Sequence, residues 1–404
     1  MKLSEELQWR GFVNQTTLTD LKELDKKKFT LYFGVDPSAD SMTVGNLAAA
    51  IMVRHFLEHG HKVILLVGGG TGMIGDPGGK NEERNLLTLQ QVAKNKKGIG
   101  AEYKRVFSGK KFLLVDNYDW LNKLSLLEFL RDIGKHFGMT TLLQRDFIAN
   151  RIGEGGSGIS YTEFSYTLLQ GYDYYYLHQK YGVDLQVCGA DQWGNSISGV
   201  DLIRKKTGHE VHVYSCPLII NKSTGKKFGK SEGGAVWLNS DKTSGYKFYQ
   251  FWLNADDEGV IDYMKVYTLL PKEEIEEYAK LAKQAPQKRE AQKALAFEAT
   301  KLVHGKERAE SVRRVTEVLF GGRDFAELTA ADRAALGSEI PTSKKRQLDE
   351  VLFDASLAKS KGEVRRLVGD GGVTINGEKA DGEAQRIKTP ALVKKGKNSF
   401  VLVV

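Results

Sequence analysis

Apolar residues follow two rhythms along the chain, and the change between them falls near residue 245. Before it, short apolar runs alternate with segments of helical spacing. Residues 30–35 (Thr-Leu-Tyr-Phe-Gly-Val) read as a buried strand ended by Asp36-Pro37. From Val44 to His59, residues Ala49, Ala50, Val53, Phe56 and Leu57 share one helical face, and Gly60 stops the helix. Residues 62–67 (Lys-Val-Ile-Leu-Leu-Val) form the next strand and run into Gly68-Gly69-Gly70. Lys111–Val115 and Leu185–Cys188 are further strand candidates, and Leu126–Phe137 carries a helical pattern. Strands alternating with helices predict a parallel sheet covered on both faces. Such a sheet binds ligands at the carboxyl ends of its strands.

Beyond residue 245 the segments 245–254, 258–267, 272–284, 287–304 and 306–319 have helical periodicity and almost no strand signal. Residues 321–345, with Gly321-Gly322, Gly337 and Pro341, read as a linker. The last unit, 346–404, is expected to hold two short helices, then strands at Val373–Asn376 and Phe400–Val404. The chain thus divides into an α/β unit at 1–222, a loop and all-helical unit at 223–320, a linker, and a small α+β unit at 346–404.

Composition adds constraints. With 41% hydrophobic and 27% charged residues, the 404-residue chain has ordinary material for buried cores. Two cysteines, Cys188 and Cys216, exclude a disulfide framework and a multi-cysteine zinc site and favour a reducing compartment. Met1–Glu6 has no apolar leader pattern and no window reaches the length of a membrane span, so a cytoplasmic protein is expected. The net charge of +8 is concentrated at the end, where residues 341–404 hold thirteen Lys/Arg against eight Asp/Glu. A basic appendage on a near-neutral body suits a polyanion, although such tails also serve solubility alone.

Four places carry candidate chemistry. Gly70, Gly72 and Gly75 match G-x-G-x-x-G after a strand. No acid follows at the distance a dinucleotide fold requires, and Asp76-Pro77 interrupts the helix, so a nicotinamide-dependent oxidoreductase is disfavoured. What remains is a turn followed by Asp76, Lys80 and Arg84, where a carboxylate could take an ammonium and two cations could face phosphates. The alternative is a solvated loop. Tyr166, Gln170 and Asp173 share a helix face at i, i+4 and i+7, suited to a polar small molecule or else a surface stripe. Gly189-Ala190-Asp191-Gln192-Trp193 follows a strand end; there Asp191 could take ribose hydroxyls and Gln192 could face the same pocket. Lys226-Lys227-Phe228-Gly229-Lys230-Ser231 is a basic loop able to clamp phosphates, or simply solvated. His55 and His59 read as a helix-surface pair with no third metal ligand, so no metal site is expected, and Cys188 reads as core.

The ordered set of Gly34–Ser41, Ile74–Pro77, Phe164–Tyr166, Gln170–Asp173, Gly189–Asn195 and Lys227–Ser231 closely resembles bacterial tyrosyl-tRNA synthetases, of class I, along nearly the whole chain. The ending, Lys359–Leu367 and Gly371–Gly377, resembles the small RNA-binding domain shared with a ribosomal protein. The resemblance implies a Rossmann-like catalytic domain, a helical anticodon-binding domain and an RNA-binding end. It implies that Tyr32 and Asp173 read the tyrosine hydroxyl, that Asp76, Tyr166 and Gln170 hold its ammonium, and that Gln192 lies near its carboxylate. Gly34, Asp36, Ser38, Gly45, Asn46, Asp191 and Lys230 would bind ATP, with Lys80, Arg84, Lys227 and Lys230 on its phosphates. Arg365, Arg366, Lys394 and Lys395 would grip tRNA. Implied partners are tRNA(Tyr), L-tyrosine, MgATP as substrate rather than a resident cofactor, and a second copy of the chain meeting near Phe129–Ile152 and Tyr161. The chain departs from the family at its first signature. Where His-(Ile/Leu/Val)-Gly-His is usual, it has Thr43-Val44-Gly45-Asn46. Asn46 keeps a donor; Thr43 is shorter and cannot be charged, but its hydroxyl can still donate from a different place, so both stand among the expected catalytic residues with Lys80, Arg84, Lys227 and Lys230. The departure implies that Lys80, Arg84, Lys227 and Lys230 carry most of the leaving-group charge. A tryptophan enzyme of the same fold would have no use for the Tyr32–Asp173 pair, and an RNA-binding relative without activity is the non-enzymatic alternative.

Overall fold

The computed structural model describes residues 1–76, 86–225, 228–231 and 234–404, with the backbone alone at Asp146, Phe147, Lys230 and Ser231. Two compact units divide the chain: residues 1–244 with 251–303, and residues 245–250 with 304–404. Among the described residues no helix is long and apolar enough to cross a membrane.

The first unit is built on a six-stranded sheet. Its strands are β1 (Gln15–Thr16), β2 (Thr30–Val35), β3 (Lys62–Val67), β4 (Leu113–Asp116), β5 (Leu185–Gly189) and β6 (His212–Cys216), in the order β1-β6-β5-β2-β3-β4. All neighbours are parallel except β1, which runs antiparallel to β6. Helices cover both faces, which is why β2 and β3 are apolar along almost their full length. The chain lays down β2, β3 and β4 in one direction, then returns to set β5 and β6 on the other side of β2. The carboxyl ends of β2 and β5 therefore form the switch point at which open α/β sheets bind ligands.

β2 and β3 span the predicted residues, and β4 begins two residues later than expected. The short β1 and the partly polar β6 had no clear period-two signal. Leu126–Phe137 is not one α-helix: it is an α-turn at Leu126–Glu128, a π-turn at Phe129–Ile133 and a 3-10 turn at Gly134–His136. Gly134 weakens the ladder, and Leu126, Leu127 and Leu130 are exposed, so burial within the chain does not enforce a regular helix. His55 is not on a surface. Helix Val44–Glu58 is buried almost all round, and His55 sits 3.3 Å from Glu6 of helix Leu3–Arg10 with both ring nitrogens lacking a hydrogen-bond partner. Burial first, and Arg10 second, hold its pKa well below the ordinary histidine value.

Arg10, also buried, ties the same N-terminal helix to the region after helix Val260–Tyr267. Its guanidinium donates to the carbonyls of Lys265, Thr268 and Leu270 at 2.8, 3.1 and 2.7 Å. That helix carries Tyr263 and Tyr267, which with Phe251 and Trp252 surround Phe228 of the basic loop. The Phe228 and Tyr263 rings stack at 4.2 Å.

In the second unit, residues 321–345 are no loose linker. They form a 3-10 turn at Phe325–Glu327, a helix at Ala330–Gly337 and a strand at Thr342–Ser343. Phe325, Leu328 and Leu336 share a core with Val315, Leu319, Leu392, Phe400 and Leu402. The Thr329 hydroxyl caps the helix, and buried Asp332 accepts from Arg314 at 2.9 and 3.0 Å. The glycines that suggested a linker only terminate elements. Thr342–Ser343 pairs in parallel with Ser399–Val403, and the sheet continues through Ala391–Lys395, Val373–Ile375 and Glu378–Lys379. Leu348, Val351, Val364, Val373, Val393 and Val401 fill a second core.

Replacing Arg10 by Met would keep its apolar stem and leave three carbonyls without their donor. The expected loss is about 3 kcal/mol, read from urea unfolding midpoints; a loss under about 1 kcal/mol would mean that water satisfies those carbonyls.

Candidate functional site

A cavity of about 280 Å³ lies at the ends of β2 and β5. Tyr32, Gly34, Asp36, Ser38, Thr43, Gly45, Asn46, Asp76, Tyr166, Gln170, Asp173, Asp191 and Gln192 all line it. Thirteen of the expected residues, from five separate stretches of sequence, thus meet in one place. Lys80, Arg84 and Lys227 lie outside the described residues, as does the side chain of Lys230.

Two buried groups mark one end. Tyr32, on β2, has a hydroxyl with no hydrogen-bond partner, which costs free energy unless a ligand supplies one. Asp173, on helix Tyr161–Tyr181, accepts from Asn117 Nδ2 at 2.9 Å and from Trp120 Nε1 at 2.8 Å. Burial pushes its carboxyl up to about 8, against the pull of those two donors. Gln186, paired beside Tyr32 in the sheet, is likewise buried with an unpartnered Oε1. A lone hydroxyl, a carboxyl and an amide at one buried end of the pocket suit a planar group bearing a polar tip.

Asp76 accepts from Gln192 Nε2 at 2.6 Å and Asn195 Nδ2 at 3.4 Å. Gln192 thus buttresses Asp76. Tyr166 does not direct its proton to Asp76 either; its hydroxyl donates to Asp36 Oδ2 at 2.7 Å, leaving its oxygen able to accept from an ammonium. Asp36 also accepts from Thr71 Oγ1 at 2.6 Å, and Thr71 accepts in turn from Asn117 at 2.9 Å. One network thus runs from Tyr166 through Asp36, Thr71 and Asn117 to Asp173. Thr71, Asn117, Trp120, Gln186 and Asn195 were not singled out from sequence. Only Gln186 left a signal, as the one polar residue inside the apolar run Leu185–Cys188.

The glycine-rich turn is not a phosphate nest. Gly69 N–H donates to Asp116 at 3.1 Å and Gly70 N–H to Asn117 at 2.7 Å. A side chain at Gly68 would come within 2.0 Å of Asp36 Oδ1, so the residue is small because backbone and carboxylate meet there. At the other end of the cavity, helix Val44–Glu58 opens with Thr43, Gly45 and Asn46 at the wall. Its N-terminus favours an anion. Gly229, at φ +100°, packs against it; a side chain there would lie 3.3 Å from Gly45 N. Cys188 is buried and its thiol is pushed up to about 12 by burial, so it is no nucleophile at neutral pH. Among the described residues no group of three or more His, Cys, Asp or Glu is placed to hold a metal ion.

Of the four expected RNA-binding cations, three are engaged within the chain. Arg365 makes a bidentate pair with Glu383 at 2.6 Å for both bonds. Lys394 donates to the Leu319 carbonyl at 3.3 Å. Lys395 donates to the Leu357 carbonyl and lies 3.4 Å from Glu363. Arg366 is exposed.

These features define a class I aminoacyl-tRNA synthetase site. Residues 24–321 match the model of tRNA synthetases class I (W and Y), and residues 346–390 match the S4 domain. A tyrosine--tRNA ligase of Latilactobacillus sakei is 46% identical over 93% of this chain and 90% of its own length. Another, of Staphylococcus haemolyticus, is 43% identical over 99% and 98%. A truncated mitochondrial tyrosyl-tRNA synthetase of Aspergillus nidulans superposes with a TM-score of 0.71 at 31% identity, covering 79% of this chain and 94% of that one. The chain belongs to the tyrosine--tRNA ligase family.

A carboxyl raised to about 8 is largely protonated at pH 7. A phenol donating to the ionised form would lower that pKa. Binding of tyrosine at pH 7 should therefore release up to one proton, and affinity should rise as pH climbs towards 8. Calorimetry in two buffers of different ionisation enthalpy reads this. No proton release, or the same release in Asp173→Asn, would place the titrating group elsewhere.

Proposed function

We propose that the protein activates L-tyrosine with MgATP and transfers the tyrosyl group to the 3'-terminal adenosine of tRNA(Tyr). The observation that carries this is the unpartnered Tyr32 hydroxyl sharing a buried pocket with Asp173, whose two oxygens are held by Asn117 and Trp120. A phenol accepting from Tyr32 and donating to Asp173 completes both groups. Phenylalanine would leave the Tyr32 hydroxyl without a partner and give Asp173 no further donor; tyrosyl-tRNA synthetases are themselves the known example of such rejection, at about 10⁵-fold. The ammonium would lie against Asp76, Gln170 and the Tyr166 oxygen, and the carboxylate would then point towards the helix opening at Val44.

The chemistry needs no enzyme nucleophile. The tyrosine carboxylate attacks the α-phosphate, and the P–O bond to pyrophosphate breaks. The site's task is in-line placement and stabilisation of charge on the leaving group. Asn46 and the helix N-terminus offer neutral donors, Asp191 suits the ribose, and Gly34 and Gly45 let the nucleotide approach the backbone. Lys80, Arg84, Lys227 and Lys230 would supply positive charge at the phosphates. A ribose hydroxyl of the tRNA then attacks the adenylate carbonyl, and AMP leaves.

A homodimer belongs to this reading. Leu126, Leu127, Leu130, Met139, Ile152 and Tyr161 are exposed by 45 to 78% around one stretch of the first unit, more apolar surface than a lone subunit normally leaves open. For tRNA, the engaged state of Arg365, Lys394 and Lys395 moves the phosphate contacts elsewhere. Lys344, Lys345, Arg346, Arg386 and Lys388 are exposed, and segments 346–348 and 385–387 pair through Ile387 N–H to Arg346 O and Leu348 N–H to Gln385 O. That register pairs Gln347 with Arg386, and the five cations are in no ion pair among the described residues, although Arg346 donates to Thr389 Oγ1; exposed cations on two paired segments would suit a phosphate backbone.

Tyrosine-dependent exchange of pyrophosphate into ATP, run beside phenylalanine and tryptophan, tests the activity; exchange with tyrosine alone is expected. Exchange with tryptophan, or with none, would overturn it. For tRNA, Lys345→Ala, Arg386→Ala and Lys388→Ala should each weaken binding and reduce the salt slope by about 1. A larger effect from Lys394→Ala than from all three would return the contact to the sheet face.

A further inference from the structure

We propose that Thr43 is a positioning residue whose work is to hold Asn46, and that Asn46 is the only side chain of the altered first signature that donates to ATP. The inference rests on the tyrosine-activating reading. Asn46 Oδ1 accepts two hydrogen bonds from Thr43, one from the backbone N–H at 3.0 Å and one from the hydroxyl at 2.9 Å. The backbone N–H can only donate, so the facing atom of the carboxamide is its oxygen. The Asn46 amide nitrogen is thereby turned away from Thr43, and both residues line the nucleotide end of the cavity.

The turn that carries this pair is fixed from both sides. Glu102, itself buried, accepts from Ser41 Oγ and Met42 N–H, each at 2.6 Å. Val44 N–H donates to Val236 O at 3.0 Å, Leu238 N–H to Met42 O at 2.9 Å, and Thr43 bridges to Trp237. With the backbone held, the hydroxyl of Thr43 reaches a phosphate only by abandoning its 2.9 Å bond, which would release the carboxamide to rotate. Holding Asn46 uses the one proton that Thr43 has. The two side chains therefore act as one unit with a single outgoing donor group.

The test is the single-turnover rate of tyrosyl-adenylate formation in Thr43→Val, Thr43→Ser, Asn46→Ala, Asn46→Asp and the double variant Thr43→Val/Asn46→Ala, with tyrosine affinity measured by equilibrium dialysis to verify an intact fold. Thr43→Val should slow activation by about tenfold or more, through the rate at saturating ATP, and Thr43→Ser should restore it to within about threefold. The double variant should be no slower than Asn46→Ala within about twofold, because a lock has no effect once its cargo is gone. Asn46→Asp keeps both acceptor bonds to Thr43 but lacks the amide donor, and should be at least as slow as Asn46→Ala. Multiplicative effects in the double variant would mean that Thr43 touches the substrate itself. A full rate in Asn46→Asp would remove Asn46 as the donor, and a full rate in Thr43→Val would make the lock idle. Absence of any tyrosine-dependent activation in the unaltered protein is a separate result, and would overturn the activity and this proposal together.

Discussion

A buried carboxyl held by neutral donors constrains much of this site. The two oxygens of Asp173 take neutral donors, an indole N–H and a carboxamide. Such a group is tolerated only if its neighbours are held in turn. Asn117 is fixed because its own oxygen accepts from Gly70 and its amide also reaches Thr71. Thr71 is fixed by Asp36, and Asp36 by Tyr166. The glycine-rich turn, the end of β2 and the long helix 161–181 are consequently parts of one polar network, and a change at any of them reaches Asp173.

A second constraint acts at the opposite end. Phe228 gives the basic loop an apolar foot among Tyr263, Trp252, Phe251 and Tyr267, and Gly229 then brings the backbone against Gly45. Tyr263 is itself tied by its hydroxyl to Asp256 at 2.9 Å. The anchor is hydrophobic: aromatic contact, which needs no charge, is what seats Phe228.

Much of this was legible in the sequence, for identifiable reasons. β2, β3 and the helix at Val44 carry strong periodicity, and each is buried as its pattern demands. The cavity-lining residues Tyr32, Asp76, Tyr166, Gln170, Asp173 and Asp191 stand in short recognisable stretches at strand ends or along one helix face. The residues that hold them were not legible. Asn117 and Trp120 act on Asp173 across 56 and 53 positions of chain, a distance that no local pattern encodes. His55 looked exposed because a helix pattern does not reveal a second helix packed over it. Charge counting similarly found the basic end but not Glu383 or the Leu357 carbonyl, which take up the cations it favoured.

The distribution of charge explains why an uncharged first signature is compatible with the proposed chemistry. Among the described residues, the cavity wall holds Asp36, Asp76, Asp173 and Asp191 and no lysine or arginine. An ammonium group belongs in such a wall; a triphosphate does not, unless donors separate it from the acids. On the proposed reading, Asn46 and the amides opening helix 44–58 would provide those donors without adding a titrating group, so their contribution would not change with pH in the neutral range. A fixed cation in the same place would pair with the acids before any substrate arrived, at a desolvation cost the fold would have to meet permanently. Under the proposed function, neutral donors in this turn, with lysines and arginine supplied by segments elsewhere in the sequence, would keep the acids for the amino acid and the positive charge for the nucleotide.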